Sequence, residues 1–406
     1  MRIPLCFGLL VFFWRQVSSS FSDVTESVGI SVVDGYLAAF GDFNGDKQTD
    51  LFIVTDGGKH LEVFFWDDSD LKFRKGRTAI SPPSSDTIVN VSPSDFDGDG
   101  CLDILISTQS QTADKTITVF VYWGNSQTLD NNGAVRLAMK DQPLVLDANG
   151  DLLPDLFGTD ESSSLRSYWI SKGSNRSFDV QAQTNSSSKL APVKVPHSNA
   201  FLDLSGDFTA DLYVTNEDNN GEVWINKEGI LVQPSESEMI RPPKITKKIK
   251  HVGQSTFADI DGDGNIDLLL PVCTTDYCEE SHIYVYMYSS GQWTKMLSND
   301  KKPTTWQFIS PSNQTSSLFP LMTIRTGDYN MDTFSDAIVV LNVRDPGDKH
   351  FKRVAALLEN IPCPSMDEPC FNRRTFDVQW QELPNLEPAV LATFFDLYEN
   401  VSTCFT

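Results

Sequence analysis

The sequence predicts an all-β protein, a β-propeller of four-stranded blades. Three observations carry this expectation: an aspartate-rich stretch recurs six times at steady spacing, each copy leads into a short apolar run, and helical periodicity is scarce along the 406 residues. The fullest copy, FADIDGDGNIDLLL at residues 257–270, crowds four aspartates into nine residues directly before three leucines. Unpaired, those carboxylates repel one another and oppose burial of the strand that follows. Asp259, Asp261, Asp263 and Asp267 stand at positions 1, 3, 5 and 9 of a loop. Alternate residues of a tightly turning loop can point inward together at a hard cation. Gly262 and Gly264 permit the backbone angles of such a turn.

Taken in order, the chain begins MRIPLCFGLLVFFWRQVSSSFSD, with Arg2, an apolar run from Ile3 to Trp14 and small residues at Ser18 to Ser20. This is the layout of a cleavable signal peptide over residues 1–20, cut near Ser19 or Ser20. The apolar run, stopped by Arg15, is short for a membrane span, and no later stretch reaches the ~20 apolar residues that a span needs. Residues 21–406 are then expected to form one exported propeller ectodomain without a membrane span.

Repeat one, FGDFNGDKQTDLFIV from Phe40, offers Asp42, Asn44, Asp46 and Asp50 as side-chain ligands and the carbonyl of Gln48. Repeat two, SDFDGDGCLDILI from Ser94, offers Asp95, Asp97, Asp99 and Asp103 with the carbonyl of Cys101. Repeat three, VLDANGDLLPDLFG from Val145, offers Asp147, Asn149, Asp151 and Asp155 with Leu153. Repeat four, FLDLSGDFTADLYV from Phe201, offers Asp203, Asp207 and Asp211 with Thr209, and places the weaker ligand Ser205 at position 3. Repeat five adds the carbonyl of Asn265 to its four aspartates. Repeat six, TGDYNMDTFSDAIVV from Thr326, offers Asp328, Asn330, Asp332 and Asp336 with Phe334, and has Met331 where glycine is usual, which makes the turn harder to form. A seventh start, TFFDLYEN from Thr393, fails: Asp396 is followed by Tyr398, Asn400 and Cys404 where the last aspartate should stand.

Successive first aspartates lie 52 to 69 residues apart, the length of a four-stranded unit with its loops. Each loop is followed by an apolar run such as LFIV or ILI, a polar turn, and an aromatic strand such as LEVFFW or HIYVYMY. Such units bury their faces against two neighbours in a propeller. The loops begin like an EF-hand, but an EF-hand closes with glutamate at position 12 between helices, whereas here aspartate at position 9 opens a strand. Calcium suits this oxygen set better than magnesium, which demands strict octahedral geometry. Up to six structural calcium sites are expected, against the bland reading that the aspartates merely make turns.

The net charge is −23, and 20 of the 55 acidic residues fall inside the six loops. That charge argues against nucleic acid and against an anionic membrane surface as partners. One basic run, RPPKITKKIKH at 241–251, reads as a solvated loop between blades, with acidic polymers as the competing use. Export predicts oxidised cysteines. Cys273 with Cys278 and Cys363 with Cys370 lie close enough in sequence to close small loops, a zinc site being poorly served by spacings without nearby histidine. Cys101 and Cys404 stay unassigned. Glycosylation sequons stand at Asn90, Asn175, Asn185, Asn313 and Asn400.

The D-x-[DN]-G-D-x-x-x-D loops leading into strands resemble the FG-GAP repeats of integrin α-subunit propellers. Longer runs, including LAAFGDFNGDKQTDLF, GDLLPDLFG, HVGQSTFADIDGDG and TGDYNMDTFSDA, resemble the T-cell immunomodulatory protein family from about residue 36 to residue 400. The resemblance implies a type I membrane glycoprotein with a releasable ectodomain, a propeller of seven blades in full-length members, and roles in T-cell modulation and adhesion. After Glu399 this sequence departs from that pattern, reading NVSTCFT, so a truncated or alternatively spliced product is inferred, with the last repeat, about 393–406, incomplete.

Functionally the sequence reads as a non-catalytic extracellular recognition module with a cell-surface or secreted protein partner, because rigid propellers present loops. A calcium-dependent carbohydrate binder is one alternative, with Trp66, Trp123, Trp169 and Trp224 as stacking platforms. Their recurrence in successive blades argues for core packing instead. The accessory propeller of a secreted hydrolase is the other alternative. His197 and His251 precede loops four and five at similar offsets, which reads as one repeated structural position rather than a catalytic pair.

Overall fold

The structure, a computed structural model, describes residues 22–380 apart from 83–85, 113–115, 126–127, 131–132, 183–189, 301–303, 312–321, 346 and 366–368, and beyond them residues 383, 389, 392–395 and 404–405. The expected signal peptide, the sequons at Asn185, Asn313 and Asn400, and Asp396 lie outside the described residues.

Each aspartate loop links the first and second strands of an antiparallel sheet, and the second strand is apolar on both faces because both are covered. Blade one holds β1 (Gly35–Gly41), β2 (Asp50–Thr55), β3 (His60–Asp67) and β4 (Lys72–Ile80), paired in that order. Blade two holds β5 (Thr87–Ser94), β6 (Asp103–Gln109), β7 (Ile117–Tyr122) and β8 (Val135–Leu137). Blade three holds β9 (Leu144–Leu146), β10 (Asp155–Thr159), β11 (Arg166–Ser171) and β12 (Phe178–Ala182). Blade four holds β13 (Asn199–Leu202), β14 (Asp211–Thr215), β15 (Gly221–Lys227) and β16 (Ile230–Val232).

In blades five and six the first strand is broken in two. β17 (His251–Val252) and β18 (Thr256–Ala258) both pair with β19 (Asp267–Cys273), which continues to β20 (Ser281–Met287) and β21 (Gln292–Ser298). Likewise β22 (Trp306–Phe308) and β23 (Ile324–Gly327) pair with β24 (Asp336–Val343), followed by β25 (Lys352–Pro362) and β26 (Arg374–Gln379). A two-stranded ladder, β27 (Phe394–Phe395) with β28 (Cys404–Phe405), stands at the seventh repeat start.

Alternation along the second strands builds a core between every pair of consecutive blades. Ile104 and Ile106 of β6 meet Phe52 and Val54 of blade one, while Leu105 between them meets Leu156 and Trp169 of blade three. Phe157 turns to Leu212 and Trp224 of blade four, and Tyr213 joins Leu268 of blade five. Leu269 and Val285 then pack with Val339 and Ala356 of blade six. First strands of neighbouring blades also touch, β1 with β5, β13 with β18 and β18 with β23, as expected for strands nearest a propeller axis. The flanks of the first and last blades are covered as well. Val24, Ile30 and Val33 pack on Trp66 and Phe73 of blade one, and Ala389, Ala392 and Phe394 pack on Ile338 and Val340 of blade six.

Trp66, Trp123, Trp169 and Trp224 are all buried in these cores, on or directly after third strands. Both expected disulfides form, Cys273–Cys278 and Cys363–Cys370. Among the described residues, no helix is long and apolar enough to cross a membrane.

Candidate metal loops

The six loops share one backbone design. Position 4 is left-handed in each: Gly45, Gly98, Gly150, Gly206, Gly262 and, in loop six, Met331 at φ 58°. The turn expected to suffer from Met331 is therefore formed all the same. Position 6 is left-handed too, and there only loops two and five have glycine, Gly100 and Gly264. The others place Lys47, Leu152, Phe208 and Thr333 at φ 68–78°. That second requirement was not read from the sequence, although the two glycines of loop five carried its signal.

The turn lets the backbone grip the carboxylates. Position 1 accepts the N–H of position 6 in every loop: Lys47 to Asp42, Gly100 to Asp95, Leu152 to Asp147, Phe208 to Asp203, Gly264 to Asp259 and Thr333 to Asp328, all at 2.8–3.0 Å. Position 5 accepts the N–H of position 7: Gln48 to Asp46, Cys101 to Asp99, Leu153 to Asp151, Thr209 to Asp207, Asn265 to Asp263 and Phe334 to Asp332, at 2.8–2.9 Å. At position 3, Asn44, Asn149 and Asn330 turn their amide N–H groups toward the position 5 carboxylate, whereas Asp97 and Asp261 leave both charges in place. Ser205 sits 3.5 Å from Asp203 through its hydroxyl.

Position 9 is tied to the backbone as well. Asp50, Asp103, Asp155, Asp211, Asp267 and Asp336 are all buried where the second strand begins. In most of them one oxygen accepts from the loop and the other from the third strand. Asp103 takes the N–H of Phe96 at 2.8 Å and of Gly124 at 2.7 Å, and Asp155 takes those of Ala148 and Ser171. Asp50 joins Phe43 to Trp66, and Asp211 joins Leu204 and Ser205 to Asn226. Burial pushes the Asp50 and Asp103 carboxyls up to about 6, and burial helped by neighbouring carboxylates pushes Asp267 and Asp336 up to about 7.

Two observations fit a divalent cation to this arrangement. One oxygen from each of Asp95, Asp97 and Asp99 lies within 4.8 Å of the others, as does one from each of Asp259, Asp261 and Asp267. That is the span of oxygens around one ion held at ~2.3–2.6 Å. In loop six, burial and the neighbouring charges of Asp332 and Asp328 push the Asp336 carboxyl up, while one of its oxygens takes the N–H of Asn360. The bound ion would lie among positions 1, 3, 5 and 9 and the carbonyl of position 7.

Two contacts reach the complete loops from the following blade. Arg176, in the hairpin between β11 and β12, donates to Asp97 at 2.7 Å and stands 3.7 Å from Asp99. Asn372, in the hairpin between β25 and β26, donates to Asp261 at 2.6 Å. The third strand of that following blade pairs likewise: Ser171 of β11 donates to the carbonyl of Phe96 and Asn360 of β25 to that of Ile260.

The two histidines do not share a position. His197 is buried, with burial pushing its imidazole down to about 4, while His251 lies in β17 and meets the carbonyl of Asp276. The similar offsets misled because the first strand of blade five is broken and that of blade four is not. The basic run lies over blade five: Lys247 pairs with Glu280 and Lys250 with Asp276, while Ile245 and Ile249 pack on Leu270 and Tyr284. Asn90 lies half-buried in β5, and Asn175 is exposed in a turn.

A family model described as FG-GAP-like repeat matches residues 42–106. The chain is 37% identical over 383 residues to the human T-cell immunomodulatory protein, covering 90% of this chain and 59% of the relative. It is 38% identical over 414 residues to the mouse protein, covering 98% and 64%. Protein linkin of Caenorhabditis elegans is 27% identical over 398 residues, covering 91% and 62%. The chain thus spans 59–64% of the length of these curated relatives. Among solved structures it is similar to an Agrocybe aegerita lectin that recognises non-reducing terminal N-acetylglucosamine, with TM-score 0.42, 14% identity, and 89% and 83% of the two chains covered. It is also similar to the six-bladed Aleuria aurantia lectin, with TM-score 0.32, 10% identity, and 84% and 94% covered. Its repeated loops and its blades thus accompany a similarity to T-cell immunomodulatory proteins along nearly its whole length, with an FG-GAP-like repeat matched at residues 42–106.

Proposed function

We propose that the chain is a non-catalytic extracellular recognition module whose blades are pinned by calcium in the loops between first and second strands, and that it modulates T-cell responses through a cell-surface protein. The observation that carries the calcium reading is the convergence of Asp259, Asp261 and Asp267, three carboxylates within 4.8 Å beside a strand buried along its whole length. Without a cation, such neighbours repel one another at the edge of the core. With one, the ion neutralises them and fixes the start of β19. The relatives carry the name of an immunomodulatory protein rather than of an enzyme, which supports recognition as the role.

Calorimetric titration of the chelated chain with calcium tests the first half of the proposal. Saturable binding that Asp261→Ala removes from one site is expected, and the absence of any binding heat would leave the loops as turns. Staining of T cells with the labelled, calcium-loaded chain tests the second half. Saturable, chelator-sensitive staining is expected; staining that does not saturate contradicts a specific surface partner.

A further inference from the structure

Position 6 of each loop demands a left-handed backbone, and loops two and five meet the demand with glycine. Loops three and four place Leu152 and Phe208 there, each at φ 68° and 90% and 98% exposed. A bulky side chain in that conformation is disfavoured by its backbone, and an apolar one in water is disfavoured again. The fold does not require either residue, since Gly100 and Gly264 build the same turn. Between these two loops lies a cleft of about 370 Å³, lined from blades three and four. Its apolar wall includes Tyr168, Phe201 and Leu231, and its polar points are Asn149, Gln181 and Asn226. Ile230 at its edge and Val180 on β12 are exposed as well. The volume falls in the range of ordinary binding pockets, ~300–1,000 Å³.

The surroundings are acidic on balance: each flanking loop carries three aspartates, one more charge than a divalent ion neutralises, while Glu228 and Lys227 in the hairpin beside the cleft offset one another. We infer that this cleft, together with Leu152 and Phe208 exposed on the two loops that contribute to its lining, forms the docking surface for a protein segment that presents a leucine- or phenylalanine-sized side chain between lysines or arginines. The apolar side chain enters the cleft, its apolar neighbours meet the exposed residues of the loops, and the basic flanks meet the residual charge. Concave apolar pockets with a polar rim are where partner side chains anchor most strongly. This rests on the recognition reading above and adds to it the face and the chemistry of the partner.

The test uses three fluorescent peptides titrated with the calcium-loaded chain: a Leu-Phe pair flanked by arginines, the same peptide with Ser-Ser in place of the pair, and the pair flanked by glutamates. The first binds saturably, and the other two bind at least roughly tenfold more weakly. Phe208→Gly and Ala210→Trp, the latter filling the cleft, each weaken the first peptide by roughly the same factor. Phe208→Gly melts no lower than wild type, because glycine relieves the backbone, so its loss of binding is not a loss of fold. No binding of the first peptide, equal binding of the Ser-Ser peptide, or binding unchanged in both variants overturns the assignment. Calcium-dependent binding to phosphatidylserine vesicles, lost in Phe208→Gly without any peptide binding, gives the surface to a membrane and overturns it too. T-cell staining separates the two readings. Equal staining by wild type and Phe208→Gly leaves recognition standing and removes this surface, whereas no staining by wild type removes recognition itself.

Discussion

Asp103 is one carboxylate with two duties. It closes loop two, and it ties the backbone of Phe96 and Gly124 to the start of β6. Asp103→Asn sets an amide N–H group against one of those donors, so it is expected to cost about 2 kcal/mol even in chelator. Asp263→Asn, at an exposed position 5, is expected to stay within about 0.5 kcal/mol in chelator and to lose only part of the calcium-dependent gain. Chemical denaturation with and without calcium distinguishes the two. The same buried residues set a pH dependence. An unfolded carboxyl titrates near 3.8, whereas Asp50 and Asp103 are pushed up to about 6 and Asp267 and Asp336 up to about 7. Between about pH 4 and pH 7 these four groups hold more protons folded than unfolded, so their contribution to metal-free stability falls as pH rises through that window. His197, pushed down to about 4, contributes with the opposite sign between about pH 4 and 6.5. His197→Gln should therefore steepen the decline seen by urea midpoints in chelator, and an unchanged slope would contradict that sign.

At the scale of loops and strands, much of the design was legible in the sequence. Positions 1, 3, 5 and 9 and the strand that follows are contiguous, so local spacing reveals them. The second strands read as unbroken apolar runs because neighbouring blades cover both faces, and the tryptophans read as core because they recur blade by blade. The partners of the complete loops were not legible. Arg176 is 79 residues from Asp97, and Asn372 is 111 residues from Asp261, and no local pattern ties such residues together. The structural role of position 9 was hidden for the same reason, since part of the hydrogen bonds it accepts come from the third strand or the residues just after it. Arg176 competes with a cation for Asp97, so Arg176→Gln is expected to tighten calcium at loop two by up to about fivefold, a modest effect because the guanidinium is half exposed. Calorimetry reads this, and weaker binding would mean that Arg176 supports the site instead. Removing the Cys363–Cys370 bridge with serines is expected to cost about 2 kcal/mol, low in the usual range because the loop is short. Differential scanning calorimetry under non-reducing conditions measures it.

For the whole molecule, stability should rise with free calcium, since each site that binds only the folded chain adds about 2.7 kcal/mol at a hundred times its dissociation constant. Melting that is identical in calcium and in chelator would return the loops to simple turns. Blade number was legible from the repeats: six blades stand among the described residues, four of them four-stranded and two five-stranded because the first strand is broken, and the seventh start is a short ladder. The break in the first strand of blade five was not, because only the short polar stretch 253–255 separates its two halves. Two contacts between blades run in one direction along the chain. Asp97 is held by the outer hairpin of blade three and Asp261 by that of blade six, in each case the blade that follows in the chain. At these two loops, a disturbance is handed forward to the next blade in addition to the packing on both sides. Emptying loop five should therefore speed amide exchange in β25 and β26 more than in β15 and β16.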